Sequence, residues 1–463
     1  MKAEDAWTWR TTIKRNTEKV MQQRNWIGII FLALFQISSL QGFGEDWPQW
    51  RGPSRDGRSN ETGLLKQWPS DGPKLAWHYQ NAGSGFSSIV TVADRAYTLG
   101  THKNFTVALC LNLDTGKLLW KTKLGRLGNS QDYDINWGAG PRSTPTISEG
   151  KVYALTDLGT IACLKAENGE LIWKQNLVDD FGGVIPEWGY SGSPLIDEDR
   201  LVVTPGKTNY MVALNSGTGE KKWSSHNYDV AAQYASVMKG QIAGRTYYLS
   251  ANKEGLVAFD RQSGKLLFSH NATSNTVATA STPLIKDNLI YHSSGYGGGS
   301  VLLELSKNQE NEIQITQRYH LTGRTMRNHH GGVVLADNAV FGFTEANRGT
   351  WIAQDLATGS VLWEERIRPN QSGSACFADG FLYCHLDKDR TVSLVQLSRM
   401  QWESKGILYL PKILRVAAGD KDEPAPKPSW THPSIANGKL FIRDQENIYA
   451  YMIAADAYLQ IRK

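Results

Sequence analysis

The chain is poor in the features that announce most chemistries. Its 463 residues hold four cysteines, Cys110, Cys163, Cys376 and Cys384, with no vicinal pair and no CxxCH, which excludes covalent haem attachment. Charged residues make up only 21%. Beyond residue 44 there are 44 Lys and Arg against 42 Asp and Glu, a net charge of +2, and no polybasic run. Nucleic acid and anionic membrane surfaces are therefore not expected partners. No GxSxG occurs, and "GYSGS" fails it by order. "GYGGGS", Gly295 to Ser300, has the glycines of a phosphate loop, yet no Lys-Ser/Thr follows and a strand comes next, so it is read as a blade turn.

One apolar run is present, "NWIGIIFLALFQISSL" from Asn25 to Leu40. It is shorter than the ~20 residues of a spanning helix. Lys14, Arg15, Lys19 and Arg24 precede it, and Gly42 and Gly44 occupy the −3 and −1 places of a cleavage site. Residues 1–44 are expected to be a secretory signal cleaved after Gly44, with Met21 a better-proportioned start than Met1. Retention as an uncleaved anchor is the alternative. With no Cys before Cys110, a lipid anchor on an N-terminal Cys is excluded. Export to the periplasm or envelope follows, with no stable membrane span in the mature chain and a monomer expected.

Against these scarcities stand 44 Gly, 16 Trp and 18 Tyr, a composition that suits short strands and tight turns. One unit recurs: "DTGKLLW" at Asp114–Trp120, "ENGELIW" at Glu167–Trp173, "GTGEKKW" at Gly217–Trp223, "QSGKLLF" at Gln262–Phe268 and "ATGSVLW" at Ala357–Trp363. Before each lies an alternating hairpin, as in "STPTISEGKVY" and "STPLIKDNLIY". The hairpins anchor at Ile89, Pro145, Pro194, Val237, Pro283, Val333, Ala375 and Pro433, with spacings of 56, 49, 43, 46, 50, 42 and 58 residues. Eight copies of that length fit four-stranded propeller blades.

The eighth copy stops at "NIYAYMI", Asn447–Ile453, without its aromatic strand, and "GPKLAWHY", Gly72–Tyr79, supplies one at the other end. The expected fold is all-β, an eight-bladed β-propeller over 45–463 closed by an N-terminal strand, which leaves the eighth blade complete. Trp77, Trp120, Trp173, Trp223, Phe268 and Trp363 are expected to dock neighbouring blades beside a turn glycine, each buried ring contributing about 1.5–3 kcal/mol. Cys110 and Cys163 sit where other copies have Ala213, Ala258 and Ala353, and so read as small core residues. Cys376 and Cys384 flank the two-residue turn at Asp379 and Gly380, which puts them on opposite faces as free thiols.

"ALNSGTGEKKW", "CLKAENGELIW" and "AQDLATGSVLW" resemble the Trp-docking repeat of pyrroloquinoline quinone (PQQ) propellers. "DWPQWRGPSRDG", "WGYSGSP", "QYAS", "SSGYGGG" and "NHHGG" resemble exported members found in planctomycete-type bacteria. The resemblance covers about Trp47 to Tyr451. It implies one of two branches: quinoprotein alcohol dehydrogenases, which hold PQQ and Ca²⁺ and often cap the quinone with a vicinal disulfide, or BamB-type scaffolds, which bind proteins without a cofactor. The chain departs from the first branch in having no Cys-Cys pair, about 419 mature residues and no convincing Glu, Asn and Asp set for Ca²⁺.

Residues just before each innermost strand face a propeller's channel or rim. Here they are Trp137 and Arg142, Trp188, Tyr190 and Ser191, Gln233 and Tyr234, Asn328, His329 and His330, and Trp430 and His432. Arg142, Trp188, Tyr190, Asn328, His329 and His330 are the binding candidates: a cation for carboxylate or phosphate, rings to stack on a planar group or sugar, and imidazoles for protons or a metal. Adjacent His329 and His330 on a strand would point to opposite faces, leaving one structural. The expected function is a non-catalytic binding or scaffold module of the envelope for a protein or carbohydrate ligand, with no cofactor. The alternative is a PQQ- and Ca²⁺-dependent dehydrogenase of alcohols or sugars. "GDKDEPAPKPSW", Gly419–Trp430, reads as a surface loop.

Overall fold

A computed structural model describes residues 44–310, 312–323, 325–367, 371–411 and 428–460. The signal segment, and most of the Pro-rich loop, lie outside the described residues. Among those described, 32 strands form eight four-stranded antiparallel sheets. Seven are sequential: blade 1 spans residues 90–126, blade 2 146–176, blade 3 195–224, blade 4 238–270, blade 5 284–321, blade 6 333–366 and blade 7 373–409. In blade 8, Leu75–Tyr79 pairs antiparallel with Asn447–Met452, Trp77 opposite Ala450, so strands from both ends of the chain complete one sheet. Six of the eight anchors lie one residue before the innermost strand, Val333 is its first residue and Ala375 its third.

The repeated turn has one geometry. In five copies the glycine at its corner, Gly116, Gly169, Gly219, Gly264 and Gly359, has φ between 67° and 79° and donates its amide to the carbonyl four residues back. Asn112, Asn215, Asp260 and Asp355 brace the turn by accepting amides through their side chains. Each aromatic then lies against the next blade. A Cβ on Gly116 would stand 2.6 Å from the Trp77 ring, on Gly169 2.5 Å from Trp120, on Gly219 2.7 Å from Trp173 and on Gly264 2.5 Å from Trp223. The indoles also donate across the seam, Trp77 to Leu113 O at 2.8 Å, Trp120 to Ala166 O at 3.0 Å, Trp173 to Ser216 O at 3.0 Å, Trp223 to Arg261 O at 3.0 Å and Trp363 to Ser398 O at 2.9 Å. Phe268 has no such proton and packs against Tyr247 instead. Tyr319 takes the indole's part from blade 5, its hydroxyl donating to Leu356 O at 2.9 Å.

A β-bulge lies in the outer strand pair of every blade, just before the aromatic in seven of them and before Gly406 in blade 7. The register slips between Cys110 and Leu111, Cys163 and Leu164, Ala213 and Leu214, and at the corresponding place in the other five. Opposite the Trp and Phe rings stand Cys110, Cys163, Ala213, Ala258, Ala353 and Ala450, small enough to leave room for them, whereas Tyr319 of blade 5 faces Leu302. The bulge adds local twist to an outer strand and aims the ring at its neighbour. All four cysteines are buried and free. Cys376 is opposite Tyr383 and Cys384 opposite Ala375, so the two thiols enter different apolar clusters.

Residues 45–59 cross the axis. Trp47 pairs with Thr91 of blade 1, and Pro48 accepts the Ile147 amide of blade 2. Arg55 donates to Ser193 O at 2.9 Å and Pro194 O at 3.0 Å beside blade 3, and Trp50 to Thr282 Oγ1 at 3.1 Å beside blade 5. Arg51 donates to Val333 O of blade 6, and Gly57 accepts the Phe377 amide of blade 7. A segment touching the inner ends of blades 1, 2, 3, 5, 6 and 7 must plug the channel. Arg51 and Arg55 are both 2% exposed; each donates to backbone carbonyls, while Arg51 Nε and Nη1 and Arg55 Nε are buried without a partner.

Candidate functional site

Above the plug is a cavity of about 240 Å³. Its wall is a chain of rings: Trp137 lies 5.4 Å from Trp430, Trp430 4.7 Å from His330, His330 4.8 Å from His329 and His329 4.5 Å from Tyr296. Trp188 and Tyr234, 5.5 Å apart, and Phe86, stacked on Trp430 at 5.3 Å, continue it. Trp50, carried on the plug, is the floor, 4.4 Å from the His432 ring. The rings come from the loops leading into blades 1, 2, 3, 4, 6 and 8, from a turn within blade 5 that carries Tyr296, and from the plug, which is why ten dispersed sequence positions meet in one cavity.

Four of the six binding candidates line this cavity: Arg142, Trp188, His329 and His330. Tyr190 and Asn328 do not. Tyr190 is 2% exposed in an apolar cluster with its hydroxyl donating to Pro205 O at 2.9 Å, and Asn328 is 1% exposed and donates to Gly332 O and Phe343 O. Both brace the backbone that carries their cavity-lining neighbours, Trp188 and His329. His329 and His330 reverse the expectation of opposite faces: they lie in a loop before the blade 6 strand, not within it, and both rings reach the cavity. Arg142 donates to Gly140 O at 3.0 Å and Gly138 O at 2.8 Å, and its guanidinium stands over the Phe86 and Tyr133 rings at 5.2 and 5.5 Å. It ties down the loop that holds Trp137, which is 49% exposed.

Burial sets the electrostatics. It lowers the Arg142 pKa from its ordinary value, with Tyr133 and Asp157 opposing. His329 is lowered chiefly by burial, and His330 well below 6.5 by burial and then by His329 and His432. His432 falls to about 3, through burial and then the Arg51 charge beneath it. The imidazoles of the wall are neutral at pH 7. None of the lining residues is Asp, Glu, Asn or Gln, and the described residues hold no cluster of three or more His, Cys, Asp and Glu that could grip a metal ion.

Trp50, Phe86 and Tyr296 are wall residues that repeat reasoning misses. Trp50 and Phe86 lie outside the repeated unit. Tyr296 had a signal in "GYGGG": the glycines hold a turn in which Tyr296 itself adopts φ 54° and stands 40% exposed, hydrogen-bonded to His329.

A sequence model of the family described as outer membrane protein assembly factor BamB matches residues 74–365. The chain belongs to this BamB-like family of PQQ propellers. Among relatives, BamB of Shewanella oneidensis is 24% identical over 233 residues, 50% of this chain and 54% of that protein. The dehydrogenase subunit of a quinone alcohol dehydrogenase from Komagataeibacter europaeus is 26% identical over 162 residues, 32% of this chain and 21% of that protein. The chain thus spans about half of the one relative and about a fifth of the other. BamB from Moraxella catarrhalis superposes with a TM-score of 0.53 at 14% identity, covering 79% of this chain and 94% of that one. The quinohemoprotein alcohol dehydrogenase of Comamonas testosteroni gives 0.60 at 12% identity, covering 88% and 80%. These likenesses establish the BamB-like fold, with both branches of the superfamily in reach. No helix among the described residues is long and apolar enough to cross a membrane.

Proposed function

We propose that this BamB-like propeller is a non-catalytic binding module of the cell envelope, exported by the segment before Glu45, which takes a protein or carbohydrate group in its plugged mouth. The observation that carries the reading is the makeup of the cavity wall, rings on every side with no carboxylate or carboxamide among them. Aromatic faces hold apolar surfaces and sugar rings without performing chemistry on them. Ca²⁺ takes six to eight oxygens, carboxylates among them, and the quinone chemistry of the dehydrogenase branch uses that ion. The wall's indole, imidazole, guanidinium and hydroxyl groups do not make such a cage, which favours the scaffold branch over a PQQ-dependent oxidoreductase.

The test is direct. Purified protein is mixed with PQQ and Ca²⁺, and quinone absorbance, melting temperature and dye reduction with alcohols and sugars are followed. No retained quinone and no turnover is the expected result. Stoichiometric quinone with dye reduction would replace the scaffold by the dehydrogenase reading.

A further inference from the structure

Behind the cavity wall, at the start of blade 7, Asp387 accepts four hydrogen bonds. Its Oδ1 takes the amides of Ser372 at 2.9 Å and Lys388 at 2.8 Å, and its Oδ2 the Ser372 hydroxyl at 2.9 Å and the Trp430 indole at 3.0 Å. A carboxylate has about four acceptor sites and no proton, so Asp387 is saturated and only accepts. Ser372 Oγ also stands 3.0 Å from His330 Nε2. A hydroxyl has one proton, and Asp387 receives it. His330 must therefore donate from Nε2, which leaves Nδ1 as the lone-pair atom of a neutral ring. Among the described residues His330 Nδ1 makes no hydrogen bond. His432 is set the same way: its Nε2 faces the carbonyl of His330 at 2.9 Å, which can only accept, and its Nδ1 is buried without a partner.

We propose that the mouth is built to receive a hydrogen-bond donor, a hydroxyl of a neutral sugar ring, at Nδ1 of His330, with Ser372 and Asp387 as positioning residues that fix the His330 tautomer and the Trp430 indole. This rests on the mouth being a binding site. A carboxylate brought to this atom would set lone pair against lone pair, and two of the five Arg142 protons are already directed at Gly138 O and Gly140 O. A sugar instead presents apolar C–H faces to Trp137 and Trp188 and donors around its rim. Protonation of either imidazole is opposed first by burial, then by the neighbouring imidazoles and, at His432, by the Arg51 charge, against which the His330 carbonyl acts only in part.

Long-range proton–nitrogen NMR of the chain with labelled histidine reads the tautomers at pH 7. The Nε2–H form is expected for both residues, and in Ser372→Ala the His330 pattern should be lost. An Nδ1–H form of His330 in the unmutated protein overturns the proposal without needing a variant. Maltose, cellobiose and lactose are titrated in parallel against tryptophan fluorescence. At least one should bind, and Ser372→Ala should weaken it about tenfold, as for one hydrogen bond. Equal sugar binding in the variant overturns the relay. Binding of 2-naphthoate in place of the sugars overturns the donor preference while leaving the mouth a binding site, and silence from every probe overturns both.

Discussion

At the residue scale, a side chain's value depends on what it touches. Trp188 and Trp137 present ring faces to the cavity, so Trp188→Ala and Trp137→Ala are expected to abolish mouth binding, followed by fluorescence titration, while changing melting temperature little. Tyr190→Phe is the contrast: it removes the bond to Pro205 O and should cost about 1 kcal/mol in chemical denaturation, with the cavity wall unchanged. Buried histidines also predict a pH response. His292 and His385 are lowered to about 4 and His432 to about 3, each chiefly by burial. The unfolded chain takes up these protons near pH 6.5 and the native one does not, so stability is full above 6.5 and falls as pH drops toward 4. The slope is about 1.4 kcal/mol per pH unit for each such histidine, and His385→Gln should flatten it in denaturant titrations from pH 7 to 4. Asp197 acts lower on the scale. Burial opposes its charge, but bonds from Arg261, Lys239 and Tyr248 outweigh it and hold the carboxyl at about 2, so its contribution is present above pH 3.8 and lost toward 2.

At the element scale, the seam between blades is a ring pressed on a glycine. Gly116 and Gly150 both sit in the left-handed region, at φ 67° and 70°, but a Cβ on Gly116 meets Trp77 at 2.6 Å and one on Gly150 meets nothing within 4 Å. Gly150→Ala should cost about 1 kcal/mol for its backbone alone. Gly116→Ala must also move an indole, and its melting temperature should fall further; equal shifts would show that the seam yields freely. The bulge explains how one turn and one aromatic suffice. It was not legible in the repeat, because a one-residue slip between paired strands leaves no mark in either strand's own pattern, whereas the small residues opposite the Trp and Phe rings, Cys110 and Cys163 among them, do leave one.

At the scale of the whole molecule, closure comes from blade 8 and the plug. Arg443, 1% exposed, reaches from blade 8 to Ser87 O and Gly83 O, so a buried guanidinium fastens the closing seam to the loop before blade 1. Removing residues before Gln80 would take away the Leu75–Tyr79 strand and leave Asn447–Met452 as an unpaired edge. Such a chain is expected to aggregate or self-associate on gel filtration and to lose cooperative melting, since an open edge is a template for another chain. A monomeric, sharply melting product would mean that seven blades hold the ring by themselves.

The amino-acid sequence by itself determined the blade count, the closing strand and the docking rings, because these rest on local periodicity, turn glycines and the spacing of repeats, all of which are written along the chain. It also marked the loops around Arg142, Trp188 and His329 as the channel mouth. Only the tertiary structure decided that 45–59 is a plug, that Trp50, Phe86 and Tyr296 complete the wall, and that Tyr190 and Asn328 turn inward. Those outcomes depend on which side chains converge across the axis from segments far apart in the chain, and on the one proton that Ser372 has to give. Neither is a property of any stretch read alone.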